Sequence, residues 1–312
     1  MKSAPSTKTV IIIGGPTASG KSGLALDLAQ ELGGVVINAD SMQLYDGLHI
    51  LTAQPSTDDK TAVPHTLYGA LKPDEKCHAA AWRDMALKDI DAALAQNKTP
   101  IVAGGTGFYI KTLVEGISPI PDVPEDIRKA ATTLMADIGN IAFHEKLAQR
   151  DPVMAAKLDP GNTQRLIRAW EVLDATGQSL AVWQDMPATP PPPHLSFTTI
   201  TLLPPRADLY ARCDARFEHM AKNGAIEETE HFMKQGFENS PLENALGYTE
   251  FCGYLNGTHS LEDATTKAQQ RTRNYAKRQT TWFRHQITPN ITLNAPESAP
   301  VTKYLGDKNR IC

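Results

Sequence analysis

Residues 11 to 22, IIIGGPTASGKS, constrain the fold of this chain more than any other stretch. A β-branched run ends in glycine, a short turn follows, and apolar residues then recur at helical spacing through KSGLALDLAQELG at 21 to 33. The order is strand, loop, helix. The loop satisfies GxxxxGK[ST] through Gly15, Gly20, Lys21 and Ser22. Glycines let backbone N–H groups converge on an anion at the positive end of a helix, the lysine neutralises charge, and the serine hydroxyl can sit on Mg²⁺. Gly15, Pro16, Thr17, Ala18, Ser19, Gly20, Lys21 and Ser22 are therefore the candidates for holding a diphosphate or polyphosphate, with Ser22 the candidate metal ligand. A tight strand-to-helix turn without a ligand is the plain alternative, and the complete motif in its proper context speaks against it.

The pattern continues in the same style. VVIN at 35 to 38 reads as a second strand, a helix is expected around 78 to 96, and TPIVAGG at 99 to 105 reads as a third strand. Strands alternating with helices imply a parallel sheet covered on both faces. From about 117 the composition changes: SPIPDVPED is a proline-rich hinge, and helical segments are expected around 125 to 137, 141 to 149 and 162 to 175. PATPPPPHLS at 187 to 196 is a stiff polyproline linker, FTTITLL at 197 to 203 a strand returning to the sheet, and 206 to 285 mostly helical. The tail after 288 is polar and carries no clear signal. The expected fold is α/β, a P-loop NTPase-like doubly wound parallel sheet with an inserted helical domain. The core takes 1–116 and 197–312, and the insertion takes 117–196.

Composition narrows the class without deciding it. With 41% hydrophobic and 21% charged residues over 312 positions, there is material for one large domain and a smaller one. A net charge of −4 gives no whole-surface attraction to nucleic acid, although a local basic strip can still supply one. The four cysteines, Cys77, Cys213, Cys252 and Cys312, show no CxxC spacing, which suits a reducing cytoplasm and suggests neither zinc nor disulfides. The apolar run behind the polar opening is too short for a membrane span, so no membrane partner is expected. A monomer is the default.

A phosphate loop serves two chemistries. In a kinase the bound nucleotide gives up its terminal phosphoryl group, whereas in a prenyl transferase the whole diphosphate departs. Two further segments bear on the choice. NADSMQLYDGL at 38 to 48 places Asp40 at the carboxyl end of a strand beside the loop, where open α/β sheets bind ligands. A carboxylate there can bind Mg²⁺, take a proton from a nucleophile, or cap the next turn. AGGTGFY at 103 to 109 brings Thr106 to the same edge, where it can cap a helix and still donate a functional hydrogen bond.

GPTASGKS at 15 to 22, DSMQLY at 40 to 45, TAQP at 52 to 55, GGTGFY at 104 to 109, QRLIRAWEV at 164 to 172, LGY at 246 to 248 and KRQTTWFR at 277 to 284 fall in characteristic order and spacing. Together they resemble the tRNA dimethylallyltransferases, also called tRNA isopentenyltransferases. The resemblance implies transfer of a dimethylallyl group from dimethylallyl diphosphate to N6 of the adenosine 3′-adjacent to the anticodon, with Mg²⁺ and the tRNA anticodon arm as partner. It implies Asp40 as the base that takes the amine proton, Thr106 beside the amine and the phosphate oxygens, and Arg216 of CDARF as a cation on the diphosphate. Read alone, Arg216 is an ordinary solvated helix residue. Implied tRNA contacts are Asp40, Ser41, Met42 and Gln43; Thr106 and Arg128; Gln164, Arg165, Leu166, Ile167 and Arg168; and Asn244, Ala245, Leu246, Gly247, Tyr248 and Thr249. Thr249 departs from the family, which commonly has Lys or Arg there.

Lys267, Arg271, Arg273, Lys277, Arg278 and Arg284 form a basic strip in the last long helical segment, beside Tyr275 and Trp282. That reads either as a phosphate-facing surface or as a solvated face. Three other functions share the phosphate loop: an adenylate isopentenyltransferase, a P-loop small-molecule kinase, and a nucleotide-dependent switch without chemistry. The helical insert and the long basic helix argue against the first, because a small acceptor needs neither.

Overall fold

The β-branched run becomes strand β1, Lys8–Gly14, and its alternate side chains serve two separate cores. Val10 and Ile12 belong to one, Ile11 and Ile13 to the other. A strand buried on both faces needs a helical layer on each side of its sheet. The structure is a computed structural model that describes residues 7–311.

After β1 and the phosphate loop come α1 (Lys21–Leu32), β2 (Gly34–Asn38), α2 (Thr57–Ala62), β3 (His65–Thr66) and α3 (Ala79–Ala95). Strand β4 (Thr99–Gly104) and α4 (Gly107–Glu115) follow. Next are α5 (Glu125–Arg150), α6 (Pro152–Lys157), α7 (Thr163–Thr176) and α8 (Leu180–Asp185). Strand β5 (Leu195–Leu202) leads to α9 (Arg206–Lys222), α10 (Ala225–Gln235), a 3₁₀ turn at Pro241–Asn244, α11 (Tyr248–Leu255) and α12 (Leu261–Gln286). The described chain closes with β6 (Ile291–Leu293) and α13 (Ala299–Ile311).

Among the described residues six strands pair in parallel, in the order β3-β2-β4-β1-β5-β6. The fold is α/β and doubly wound. On one face α1 contributes Leu24, Ala25, Leu28 and Ala29, joined by Val301 of α13. On the other, Trp82, Ile110, Phe217, Phe251 and Phe283 come from five different helices. The tail beyond 288 is a correction to the sequence reading: Ile200↔Ile291 and Leu202↔Leu293 are registered pairs, so this segment supplies the sixth strand and a covering helix. The brief strand β3 was likewise not expected.

Packing divides the chain into two units, one formed by residues up to 114 and from 192 onward, the other by 115–191. The second unit is helical with its own core of Phe143, Leu147, Leu166, Ala169 and Val172. Its α5 breaks at Gly139, whose φ of 72° lies in the left-handed region that glycine adopts without strain, so two helical arms stand where two were expected. α7 starts at Asn162, whose side chain accepts from the Arg165 N–H, and stops at left-handed Gly177.

Candidate active site

The phosphate loop, the end of β2 and the end of β4 meet because β4 lies between β2 and β1. Ala39 N donates to Ala103 O at 2.8 Å, and Thr106 N to Ala39 O at 3.1 Å. A Cβ on Gly104 would stand 2.1 Å from the Ala39 carbonyl carbon, so only glycine lets the two strand ends approach this far. Gly107 lies equally close to α12: a Cβ there would meet the Trp282 ring at 2.1 Å.

Asp40 and Thr106 are brought together by these contacts. Thr106 Oγ1 accepts from Ser41 N at 2.9 Å and donates to Ser41 Oγ at 3.2 Å. Asp40 N donates to Asn38 Oδ1 at 2.8 Å, and Asp40 Oδ1 accepts from Met42 N at 3.0 Å. Asp40 thus caps its own turn through one oxygen, and Oδ2 remains for other work.

In the loop itself, Lys21 Nζ donates to Pro16 O at 2.6 Å and Arg216 Nη1 to Thr17 Oγ1 at 3.3 Å. Arg216 therefore belongs to the site and not to a solvated helix face. Burial pulls the Lys21 ammonium down to about 8; the Asp40 carboxylate resists that fall and Arg216 adds to it. Burial also lowers Arg216, again opposed by Asp40. Two cations buried beside one carboxylate leave the site with positive charge that further negative charge would stabilise.

A cavity of about 430 Å³ joins these parts, lined among others by Thr17, Lys21, Ser22, Asp40, Gly105, Arg216, Tyr68 and Tyr275. Ser41, Met42 and Gln43 lie on its wall, as do Asn244, Ala245 and Leu246. Burial next to Asp40 raises the phenols of Tyr68 and Tyr275, which stay neutral and protonated. Gly247, Tyr248 and Thr249 start α11 behind that wall, where Tyr248 meets Phe232 edge-on and Thr249 is exposed.

Gln279 is a site residue that the sequence reading missed. From α12 its Oε1 accepts from Thr17 N at 2.8 Å and its Nε2 donates to Gly105 O at 2.8 Å, so one buried amide ties the phosphate loop to the loop carrying Thr106. It stands inside KRQTTWFR, yet only the rotation of α12 shows which of those eight residues points inward.

Four groups of the expected contact residues take specific local settings. Both Nε2 hydrogens of Gln43 go to backbone carbonyls, Thr52 O at 2.9 Å and Ala53 O at 2.7 Å, leaving its Oε1 for a base edge. Leu166 and Ile167 turn into the core of the helical unit, because α7 is amphipathic and these are its apolar positions; Gln164 and Arg165 face outward. Arg168 and Arg128 share the buried carboxylate of Glu171, at 2.6 Å and 3.7 Å. The basic strip on α12 is not uniform either: Arg271 pairs with Glu250 at 2.7 Å and Arg273 with Asp214, while Lys277, Arg278 and Trp282 line a second groove.

The oxygen donors on the cavity wall suit a hard divalent cation. Ser22 and Asp40 both line it, and among the described residues no group of three or more His, Cys, Asp or Glu that could hold a metal ion occurs, here or elsewhere. Mg²⁺ usually takes one or two protein oxygens, with substrate phosphates and water completing its shell. Among the described residues no helix is long and apolar enough to cross a membrane.

Fold and site together define a P-loop α/β enzyme with a carboxylate beside its phosphate loop at the carboxyl edge of the sheet. Comparison with known proteins narrows that class. The family model described as IPP transferase matches residues 43–286. A tRNA dimethylallyltransferase of Rhodospirillum centenum is 53% identical over 284 residues, covering 91% of this chain and 90% of the relative; one from Paramagnetospirillum magneticum is 51% identical over 291 residues, covering 93% and 92%. The crystal structure of a tRNA isopentenylpyrophosphate transferase from Staphylococcus epidermidis matches with a TM-score of 0.68 at 31% identity, covering 97% of this chain and all of that one. A eukaryotic dimethylallyltransferase acting on tRNA matches with a TM-score of 0.75 at 28% identity, covering 89% and 70%. The chain belongs to the IPP transferase family.

Proposed function

We infer that this protein is a tRNA-modifying prenyltransferase that moves the dimethylallyl group of dimethylallyl diphosphate to N6 of the adenosine 3′-adjacent to the anticodon. The observation that carries the reading is the single cavity on which the phosphate loop, Asp40 and Arg216 converge, with Thr106 hydrogen-bonded to Ser41 of its wall. Loop and cations hold the leaving group, and the carboxylate faces the nucleophile.

The adenine amine is a poor nucleophile. As its nitrogen bonds to the allylic carbon, the carbon–oxygen bond breaks and its electron pair leaves on the diphosphate. The amine proton passes to Asp40 Oδ2. Loop N–H groups, Lys21 and Arg216 stabilise charge where it accumulates, which lowers the barrier more than it tightens binding of the ground state. Thr106, oriented by the Ser41 N–H, stands beside the reacting amine. The Ser22 hydroxyl would hold Mg²⁺, which would supply further charge stabilisation on the diphosphate.

An anticodon-loop adenosine must leave its stack before this chemistry can start, and the wall formed by Asp40 to Gln43 and Asn244 to Leu246 receives the extruded base. On this reading Gly247, Tyr248 and Thr249 shape that wall, and Arg128, Gln164, Arg165 and Arg168 of the helical unit meet the tRNA. The protein works as a cytoplasmic monomer.

The test is direct. Purified protein is incubated with Mg²⁺, dimethylallyl diphosphate and an anticodon stem-loop, and the RNA is weighed. Gain of one prenyl group is expected; transfer to free adenylate alone, or phosphoryl transfer from ATP with unaltered RNA, refutes the reading.

A further inference from the structure

Glu228 stands in the first turn of α10, where a carboxylate ordinarily complements its own helix. Here the side chain leaves the helix. Its Oε1 accepts from Ile50 N at 2.8 Å, and its Oε2 accepts from Ile50 N at 3.1 Å and from Leu51 N at 2.9 Å. The same loop meets α10 a second time, since a Cβ on Gly224 would lie 3.1 Å from Ile50 Cδ1.

The next two residues of that loop point their carbonyls at the acceptor wall. Thr52 O and Ala53 O receive both hydrogens of the Gln43 side-chain amide. Ala53 has φ of 54°, a left-handed conformation that a side chain disfavours, so the loop needs holding from outside. Glu228 provides that hold through charge-assisted bonds to two consecutive amides.

The consequence is chemical. A free glutamine amide can turn and offer either a donor or an acceptor, whereas one pinned by two carbonyls offers only its oxygen. Adenine presents a donor at its 6-position and guanine an acceptor, so a fixed acceptor welcomes the first and faces the second with like polarity. Resting on the reading of this cavity as the adenine pocket, we propose that Glu228 is a positioning residue for acceptor selection, holding through Ile50 and Leu51 the carbonyls that fix Gln43 as a pure acceptor.

Four full-length proteins test this: wild type, Glu228→Gln, Gln43→Ala and the double variant, with Glu228→Asp as the conservative control. Hydrogen exchange at Ile50 and Leu51 needs no substrate, and in Glu228→Gln it is expected to quicken about tenfold or more, with Glu228→Asp intermediate. With an anticodon stem-loop, Glu228→Gln should lose roughly 10- to 100-fold in kcat/KM for the RNA, the scale that a displacement of about an ångström carries in a reacting site. KM for dimethylallyl diphosphate should stay within about twofold. In the Gln43→Ala background the Glu228 substitution should have little further effect, because both act on one unit. Unchanged exchange, or full additivity in the cycle, overturns the proposal. Wild-type transfer to RNA tests the functional reading by itself, so the two failures are told apart.

Discussion

The Thr17 amide hydrogen points at Gln279 Oε1, with 2.8 Å between the heavy atoms. The same side-chain amide donates to Gly105 O, so the phosphate loop and the loop that carries Thr106, both in the first unit's N-terminal segment, share one support on α12.

Replacing Gln279 by Leu keeps the bulk and removes both bonds. The protein is expected to lose about 1–3 kcal/mol of stability, since Thr17 N and Gly105 O are left without their partner. KM for dimethylallyl diphosphate should rise as the loop loses its tether. Denaturant unfolding and steady-state kinetics check the two effects, and wild-type values in both would contradict the tether.

Asp40→Asn retains an oxygen able to accept from Met42 N, so the local turn survives. Binding of diphosphate and RNA should persist while kcat falls by ~10²–10⁴, the usual worth of a general base. An unchanged turnover number in this variant would refute the proton-acceptor role.

Lys21 couples binding to pH. In the ligand-free protein its proton leaves near pH 8, whereas the unfolded chain keeps it to about 10.5, so this residue's contribution to stability rises across that interval. A bound diphosphate restores the charge, so binding takes up a proton above pH 8 and affinity for dimethylallyl diphosphate falls by up to about tenfold per pH unit. Calorimetry in buffers of different ionisation enthalpy measures that uptake. Affinity that is flat from about pH 7.5 to about 9.5 would exclude it.

Gly104→Ala puts a methyl group against the Ala39 backbone, which has no flexible end to give way. A loss of roughly 3 kcal/mol or more is expected, at the upper end of overpacking costs. Equilibrium unfolding decides it, and a midpoint equal to wild type would mean that the strand ends can part.

Local pattern carried the sheet centre and the phosphate loop well. Val10 to Ile13 and Ile101 to Ala103 are buried on both faces, and such strands announce themselves as apolar runs. Strand β6 did not, because its three residues, of which only Leu293 is buried, owe their conformation to pairing with Ile200 to Leu202, far away in the chain. Arg216 looked like surface because amphipathic spacing tells which face is apolar and not which polar residue meets another loop. The same limit hid Gln279, and it made the α12 strip look uniform when Glu250 and Asp214, both distant in sequence, neutralise two of its arginines. Asp40 and Thr106 were each visible, but their hydrogen-bonded neighbourhood is a product of strand order.

That strand order also bears on how the molecule is made. Thr9 of β1 meets Ser196 of β5, a residue synthesised 187 positions later, and the whole helical unit is translated in between. Until β5 emerges, one edge of the central strand has no mate and offers a template for wrong pairing between nascent chains. The insert carries an apolar core of its own, so its aromatic and aliphatic residues have somewhere to pack that does not use this open edge.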